Sequence, residues 1–355
     1  MVLSIASDIS SPAEGVRQID VRRDLRAIAE LISNTFANEL DVRGQASLRE
    51  LRSLSRLGPL LFLMVPPSGE LGGFLQGFVW EADGEVVGNI TIQQADYDGS
   101  RWMIANEAVR PDYRKRGIAG ALMQAALTHI KESRGEWTVL QVDDTNDVAR
   151  RLYQHLGFRD VLTATSLRCS QLSPIPNTIL PADTNLKRLH DSDWSAVNHL
   201  LHRSLPESAR WLNPTRVHNY RRNSDSQIIL RWGHFIGLSQ RERLGIYCGS
   251  DLMGVLDLWT RPRGEHEIDI LMHPDVREDW TAPLLHHGLQ QLQRYPHQPI
   301  AATFYNYQPQ AIVALQTLGF RTTRVLTTMR KRNSRRKPDI FVDDTTIMEV
   351  NHANI

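Results

Sequence analysis

The chain has 355 residues, more than one hydrophobic core usually holds, of which 41% are hydrophobic and 23% charged. A formal net charge of +1 supplies no field that favours nucleic acid or an anionic membrane surface. Two cysteines, Cys169 and Cys248, are too few for a disulfide framework and are expected as free, buried thiols.

Residues 1–15 contain Asp8 and Glu14 and lack the basic-then-apolar order of a signal peptide, so a cytoplasmic location is expected. Residues 16–21 read as a first strand. Residues 24–40 read as a helix with Leu25, Ile28, Leu31 and Ile32 on one face. The most apolar run, residues 59–65, is far too short to span a bilayer. Strands over 77–81 and 86–93 form a hairpin whose turn is Asp83-Gly84.

The strand at 102–109 delivers the most informative stretch, Val109-Arg-Pro-Asp-Tyr-Arg-Lys-Arg-Gly-Ile-Ala119. It reads as a strand end, a basic turn and the first turn of a helix. The first N–H groups of a helix lack internal partners and carry the positive end of its dipole, which makes an anion site. Gly117 leaves room for a phosphate, and Arg114, Lys115 and Arg116 add charge. Ile118, Ala121, Leu122, Ala125, Ala126 and Ile130 continue as one apolar helical stripe. Gly135 ends that helix, and residues 137–142 form a strand. Asp143-Asp-Thr-Asn146 then supplies turn and N-cap chemistry for a helix over 147–156, which ends at Gly157. A further strand covers 161–167.

Over about residues 16–168 the chain resembles the GNAT superfamily of acyl-CoA-dependent N-acyltransferases. The matching residues are Val109-x-Pro111, Arg114-x-x-Gly117-x-Ala119 and Asn146-x-x-Ala149-x-x-x-Tyr153-x-x-x-Gly157-Phe158. A dinucleotide-binding fold is a weaker reading, because no G-x-G-x-x-G follows an early strand. The resemblance implies a mixed α/β (α+β) sheet fold and transfer of an acetyl group from acetyl-CoA to a primary amine of a small molecule or peptide. The amine would attack the thioester directly, through a tetrahedral intermediate. The resemblance further implies that backbone around Ala108 and Val109, the turn from Arg114 through Lys115, Arg116, Gly117 and Ile118 to Ala119, and Asn146 bind the co-substrate. The strand around Val109 would bulge, freeing backbone groups for pantetheine and one N–H for the oxyanion. Tyr153 would protonate the leaving thiolate, with an unperturbed pKa of about 10 against about 8.5 for a thiol. The amine's base has no clear owner: Glu107, on the motif strand, is the named candidate, with Asp143, Asp144 or a water chain as alternatives. The loop 38–67 would shape the acceptor pocket, with the apolar run as core or one of its walls.

Later sequence echoes the first half. Gly254-Val-Leu-Asp-Leu-Trp-Thr and Glu267-Ile-Asp-Ile-Leu-Met-His-Pro274 repeat the pattern at 88–94 and 103–111, and Ala311, Leu318, Gly319 and Phe320 repeat Ala149, Leu156, Gly157 and Phe158. The fold class expected is therefore two tandem GNAT-like domains: a catalytic domain over 1–169, a linker over 170–185, a degenerate domain over 186–332 and a polar tail over 333–355. In the second copy Trp280 stands where Gly117 stands and Leu315 where Tyr153 stands, so one CoA per chain is expected. The alternative function is a CoA-binding sensor without turnover, and a structural partner protein is a third. No Cys/His spacing marks a metal site. Acetyl-CoA and an amine are the expected partners, with no membrane, no nucleic acid, and a homodimer left open.

Overall fold

Asp83 and Gly84 both adopt left-handed φ, 52° and 80°, and close the two-residue turn between β2 (Gly77–Ala82) and β3 (Glu85–Gln94), as the Asp-Gly pair predicts. The computed structural model of the chain describes residues 14–35, 76–96, 98–177, 180, 184–212, 240–262 and 264–333. The remainder of the expected helix beyond Thr35, the apolar run at 59–65, the loop at 38–67 and all but the first residue of the tail lie outside them. The chain divides into two compact units. One comprises Met1–Thr35, Gly44–Thr138 and Arg332–Ile355; the other comprises Phe36–Arg43 and Val139–Lys331.

In the first unit β1 (Gly15–Gln18) pairs antiparallel with β2, β2 with β3, and β3 with β4 (Arg101–Val109). Helix α1 (Val21–Thr35) buries Leu25, Ile28, Leu31 and Ile32, the stripe its sequence period sets. Helix α2 (Ile118–Glu132) buries Ile118, Leu122, Ala126 and Ile130 in the same way. Both pack on β3 and β4. Gly88 permits the approach of α2, because a Cβ there would stand 3.0 Å from Ile118 Cγ2. After α2 the left-handed residue is Arg134, at φ 61°. Gly135 answers a different need: a Cβ on it would lie 2.5 Å from Trp102 Cδ1.

Strand β5 (Trp137–Asp143) leads into the second unit, whose sheet has the order β5-β12-β6-β11-β10-β9-β8-β7. The last strand, β12 (Arg321–Arg332), thus lies between β5 and β6 (Arg159–Cys169). Strand β6 pairs antiparallel with β12 on one side and with β11 (Ile300–Tyr305) on the other. Strands β7 (Thr184–Arg188), β8 (Gln240–Cys248), β9 (Asp251–Thr260) and β10 (His266–Met272) complete the order. Helix α3 (Asp147–His155) connects β5 to β6.

Strand β9 is buried on both faces because both are covered, with Asp257 paired to Arg241 and Arg243. Leu256 and Leu258 join a core with Ile268, Leu285, Leu289, Phe304 and Leu315, supplied in part by α6 (Arg277–Leu292) and α7 (Pro309–Thr317). Val255 faces another core with Leu162, Leu200, Leu201 and Leu271, built on α4 (Trp194–Ser204) and α5 (Glu207–Leu212). Cys169 is buried as expected, but Cys248 is exposed at the end of β8.

Candidate active site

Strand β4 is not a regular strand. Asn89 on β3 faces Ala108 and Thr91 faces Ala105, so two steps along β3 are matched by three along β4. The extra residue is a bulge at Asn106–Glu107, with Asn106 at φ 52°. Asparagine tolerates that conformation better than most residues. Side chains hold it in place: Asn89 Nδ2 donates to the Asn106 carbonyl (2.8 Å), Asn106 Nδ2 to Thr91 Oγ1 (3.0 Å), and Thr91 Oγ1 to the Ala105 carbonyl (3.0 Å). The bulge lies before Val109 rather than at it. Glu107 sits in the irregular stretch, half-buried, while Ala108 and Val109 return to register and are buried.

From Val109 the chain passes through a 3-10 turn at Pro111–Tyr113 into the basic turn. Arg114 is extended, Lys115 is left-handed at φ 63°, and Gly117 is left-handed at φ 82° as the N-cap of α2. Left-handed residues on both sides of Arg116 give the kind of turn in which a backbone nest forms, ahead of the positive end of a 15-residue helix. A lysine held in this conformation is strained by about 1–3 kcal/mol, the kind of cost that clusters at functional sites. A Cβ on Gly117 would meet nothing within 4 Å. The glycine is therefore required by its φ, and the space in front of it is open.

The charges around the nest are arranged by local bonds. Arg114 Nε donates to the Val109 carbonyl (3.2 Å) and Arg116 Nη2 to the Asp112 carbonyl (3.0 Å). Arg110 and Arg116 flank the Tyr113 ring at 4.4 and 4.6 Å, and Arg110 is tied to Glu85 and Asp112. Arg114, Lys115, Arg116 and Gly117 are exposed, Ala119 is half-buried, and Ile118 is buried in the core. Ile118 can therefore offer its backbone N–H but not its side chain.

The remaining expected site residues lie in the second unit. Asn146 caps α3, its Oδ1 accepting the Ala149 N–H at 3.1 Å. Tyr153, 6% exposed, sits on the buried side of α3 with its ring edge-on to Phe158, centroids 6.2 Å apart. Asp143 accepts from the Thr145 amide and hydroxyl and from Arg324 Nε. Burial pushes the Asp143 carboxyl up, but Thr145 and Arg324 outweigh it and hold it below the usual carboxylate range. Asp144 accepts from Arg150 Nη1 and Thr327 Oγ1. Neither Arg324 nor Thr327 is marked by any local sequence signal.

The second half keeps some of these residues, such as Pro274 and Arg277 at the places of Pro111 and Arg114, but not the arrangement around them. Strand β10 pairs with β9 without a register shift from Glu267 to Met272, so it has no bulge. No described residue from His273 to Trp280 is left-handed, and α6 starts directly at Arg277. Positions 111–116 carry one acid and three bases, whereas 274–279 carry three acids and one base. That base is spent. The Arg277 guanidinium donates to the carbonyls of Tyr307, Ser204 and Met272, and burial pulls its pKa down. Gln308, at the position matching Asn146, makes no cap and instead donates to the Ile270 carbonyl (3.0 Å). Trp280 packs against the core and Leu315 is fully buried within it.

Among the described residues no group of three His, Cys, Asp or Glu side chains is placed to hold a metal, and no helix is long and apolar enough to cross a membrane. Residues 50–158 match the model of the acetyltransferase (GNAT) family. An N-alpha-acetyltransferase from Sulfurisphaera tokodaii is 36% identical over 94 residues, 24% of this chain and 56% of that protein. A mycothiol acetyltransferase from Thermobispora bispora is 29% identical over 150 residues, 41% of this chain and 47% of that protein. The chain thus spans about half the length of these curated relatives. The structure of a GCN5-related N-acetyltransferase from Sphaerobacter thermophilus aligns with a TM-score of 0.59 at 15% identity, covering 89% of this chain and 95% of that one. A tandem GNAT protein from the clavulanic acid biosynthesis pathway aligns with a TM-score of 0.52 at 14% identity, covering 92% of this chain and all of that one. Residues 50–158 are thus similar to the acetyltransferase (GNAT) family, and the mixed α/β fold is similar to those of a GCN5-related N-acetyltransferase and a tandem GNAT protein.

Proposed function

We propose that the protein transfers an acetyl group from acetyl-CoA to a primary amine of a small molecule or peptide, and that the first half of the chain alone carries the chemistry. The observation that carries this reading is the nest at Lys115–Gly117, which has open space before it and three basic side chains around it. A pyrophosphate is the group such a turn receives, held by backbone N–H groups at the α2 N-terminus and by Arg114, Lys115 and Arg116. The bulge at Asn106–Glu107 frees backbone groups of β4 from the ladder. One N–H just beyond the bulge, at Ala108 or Val109, stabilises the oxyanion as the amine attacks the thioester, an interaction worth about 3–4 kcal/mol. Tyr153 protonates the departing thiolate. Asn146 spends its oxygen on the cap and can offer its Nδ2 to the pantetheine arm. Glu107, set in the irregular stretch of β4, takes the proton from the amine.

The names of the two curated relatives point to different acceptors, so the acceptor is proposed only as a primary amine. The test is thiol release from acetyl-CoA in the presence of a panel of amines and N-terminal peptides, with the acetylated product identified by mass. Acetylated amine formed with stoichiometric CoA supports the reading. Tight CoA binding with no acetyl transfer to any amine would replace it with a CoA sensor.

A further inference from the structure

Strand β12 touches the turn that leads into α3. Asp144 N donates to the Val325 carbonyl (2.9 Å), fixing the end of β5 against β12. Arg324 Nε reaches Asp143 Oδ2 (3.3 Å), while Asp143 Oδ1 accepts from both the hydroxyl and the amide of Thr145 (2.7 and 3.1 Å). The Asp143 carbonyl accepts the Asn146 N–H (2.9 Å). Thr327 Oγ1 lies 3.4 Å from Asp144 Oδ1, which also accepts Arg150 Nη1 of α3 at 2.8 Å. Arg150 Nη2 donates to Asp160 of β6, and β6 pairs with β12. The bonds form a closed ring: β12 to the turn, the turn to α3, α3 to β6, and β6 back to β12.

We propose that Arg324 and Thr327 are positioning residues for the acyl-transfer site, holding the 143–146 turn and through it α3, which carries Tyr153. Both carboxylates of the turn are spent in this ring. Asp143 and Asp144 are anchors, and the amine's proton goes elsewhere. The service of the second half to catalysis is then its final strand, reached by a chain some 180 residues downstream of the turn it holds. This inference rests on the acyltransferase reading for its functional consequence, but its structural content stands apart from turnover.

The experiment compares Arg324→Ala, Arg324→Lys and Thr327→Val in the full chain, with Arg321→Ala, an exposed arginine of the same strand, as control. Three quantities are read: kcat, CoA affinity by calorimetry, and amide exchange over 144–156 by mass spectrometry. A displacement of about 1 Å at a positioned group costs on the order of 100-fold, so Arg324→Ala should lower kcat by about 10- to 100-fold with CoA affinity changed less than about 3-fold. Exchange over 144–156 should quicken by about 10-fold as the ring opens. Lysine at 324 should recover most of both, Thr327→Val should have a smaller effect of the same kind, and Arg321→Ala should have none. Unchanged exchange in Arg324→Ala overturns the proposal, as does a kcat loss that Arg321→Ala reproduces. If the wild-type chain acetylates no amine, the acyltransferase reading fails, while the exchange measurement still decides whether Arg324 holds the turn.

Discussion

Gly117→Glu separates what the nest needs for folding from what it needs for binding. The folding cost follows from φ: Gly117 is left-handed at 82°, and a residue with a Cβ pays about 1–2 kcal/mol there. No steric cost is added, since a Cβ meets nothing within 4 Å. Against a domain stability of about 5–15 kcal/mol the variant should remain folded. For binding, the new carboxylate would project into the space assigned to the pyrophosphate. Two unit charges about 6 Å apart at an effective dielectric of about 20 repel by roughly 3 kcal/mol, or about two orders of magnitude in affinity. Gly117→Ala carries the same backbone cost without the charge, so it isolates the conformational part. Calorimetry with CoA on both variants, with folding checked by near-UV circular dichroism, gives the comparison. A folded Gly117→Glu that binds CoA as wild type does would remove the turn as the phosphate site.

Two further outcomes are expected. Tyr153→Phe keeps the ring packed against Phe158 and should leave CoA affinity intact while lowering kcat by about 10- to 1,000-fold, with the loss shrinking for a better leaving group; equal kcat in both proteins would dismiss Tyr153 as the acid. Asp143 is held below the usual carboxylate range in the folded chain, so its contribution to stability is present above the unfolded carboxylate pKa and lost as pH falls through the folded one. Urea midpoints of wild type and Asp143→Asn should therefore differ at pH 7 and converge in strong acid, and a gap that is constant with pH would contradict the bonding drawn around Asp143.

Much of the fold was legible because its signals are local. The Asp83-Gly84 turn, the stripes of α1 and α2, and the Asn146 cap each follow from residues within a few positions of one another. The basic turn was legible for the same reason, although nothing in the sequence marks Lys115 as left-handed. Asn106 was missed as the site of the bulge, yet a signal existed: the first half uses nine residues, 103–111, where its echo uses eight, 267–274. The place of β12 between β5 and β6 was not legible. Nothing local in β5 or β6 marks either as its neighbour, and the choice is made by pairings such as Asp144 with Val325 that the chain brings together only on folding. Arg324 and Thr327 were invisible for that reason, and Gln308 because a side chain that abandons its cap for the Ile270 carbonyl looks the same in sequence as one that keeps it.

The most direct test of the claim that the first half alone carries the chemistry is native mass spectrometry of the full chain with saturating acetyl-CoA, on wild type and Gly117→Glu. Among the described residues the bulged motif strand, the nest and the basic turn lie in the first half and have no counterpart at the matching positions of the second, where Arg277, Trp280 and Gln308 are committed to contacts within that half. One bound acetyl-CoA in wild type and none in Gly117→Glu is the predicted result. Two bound molecules in wild type, or one that persists in Gly117→Glu, would contradict it.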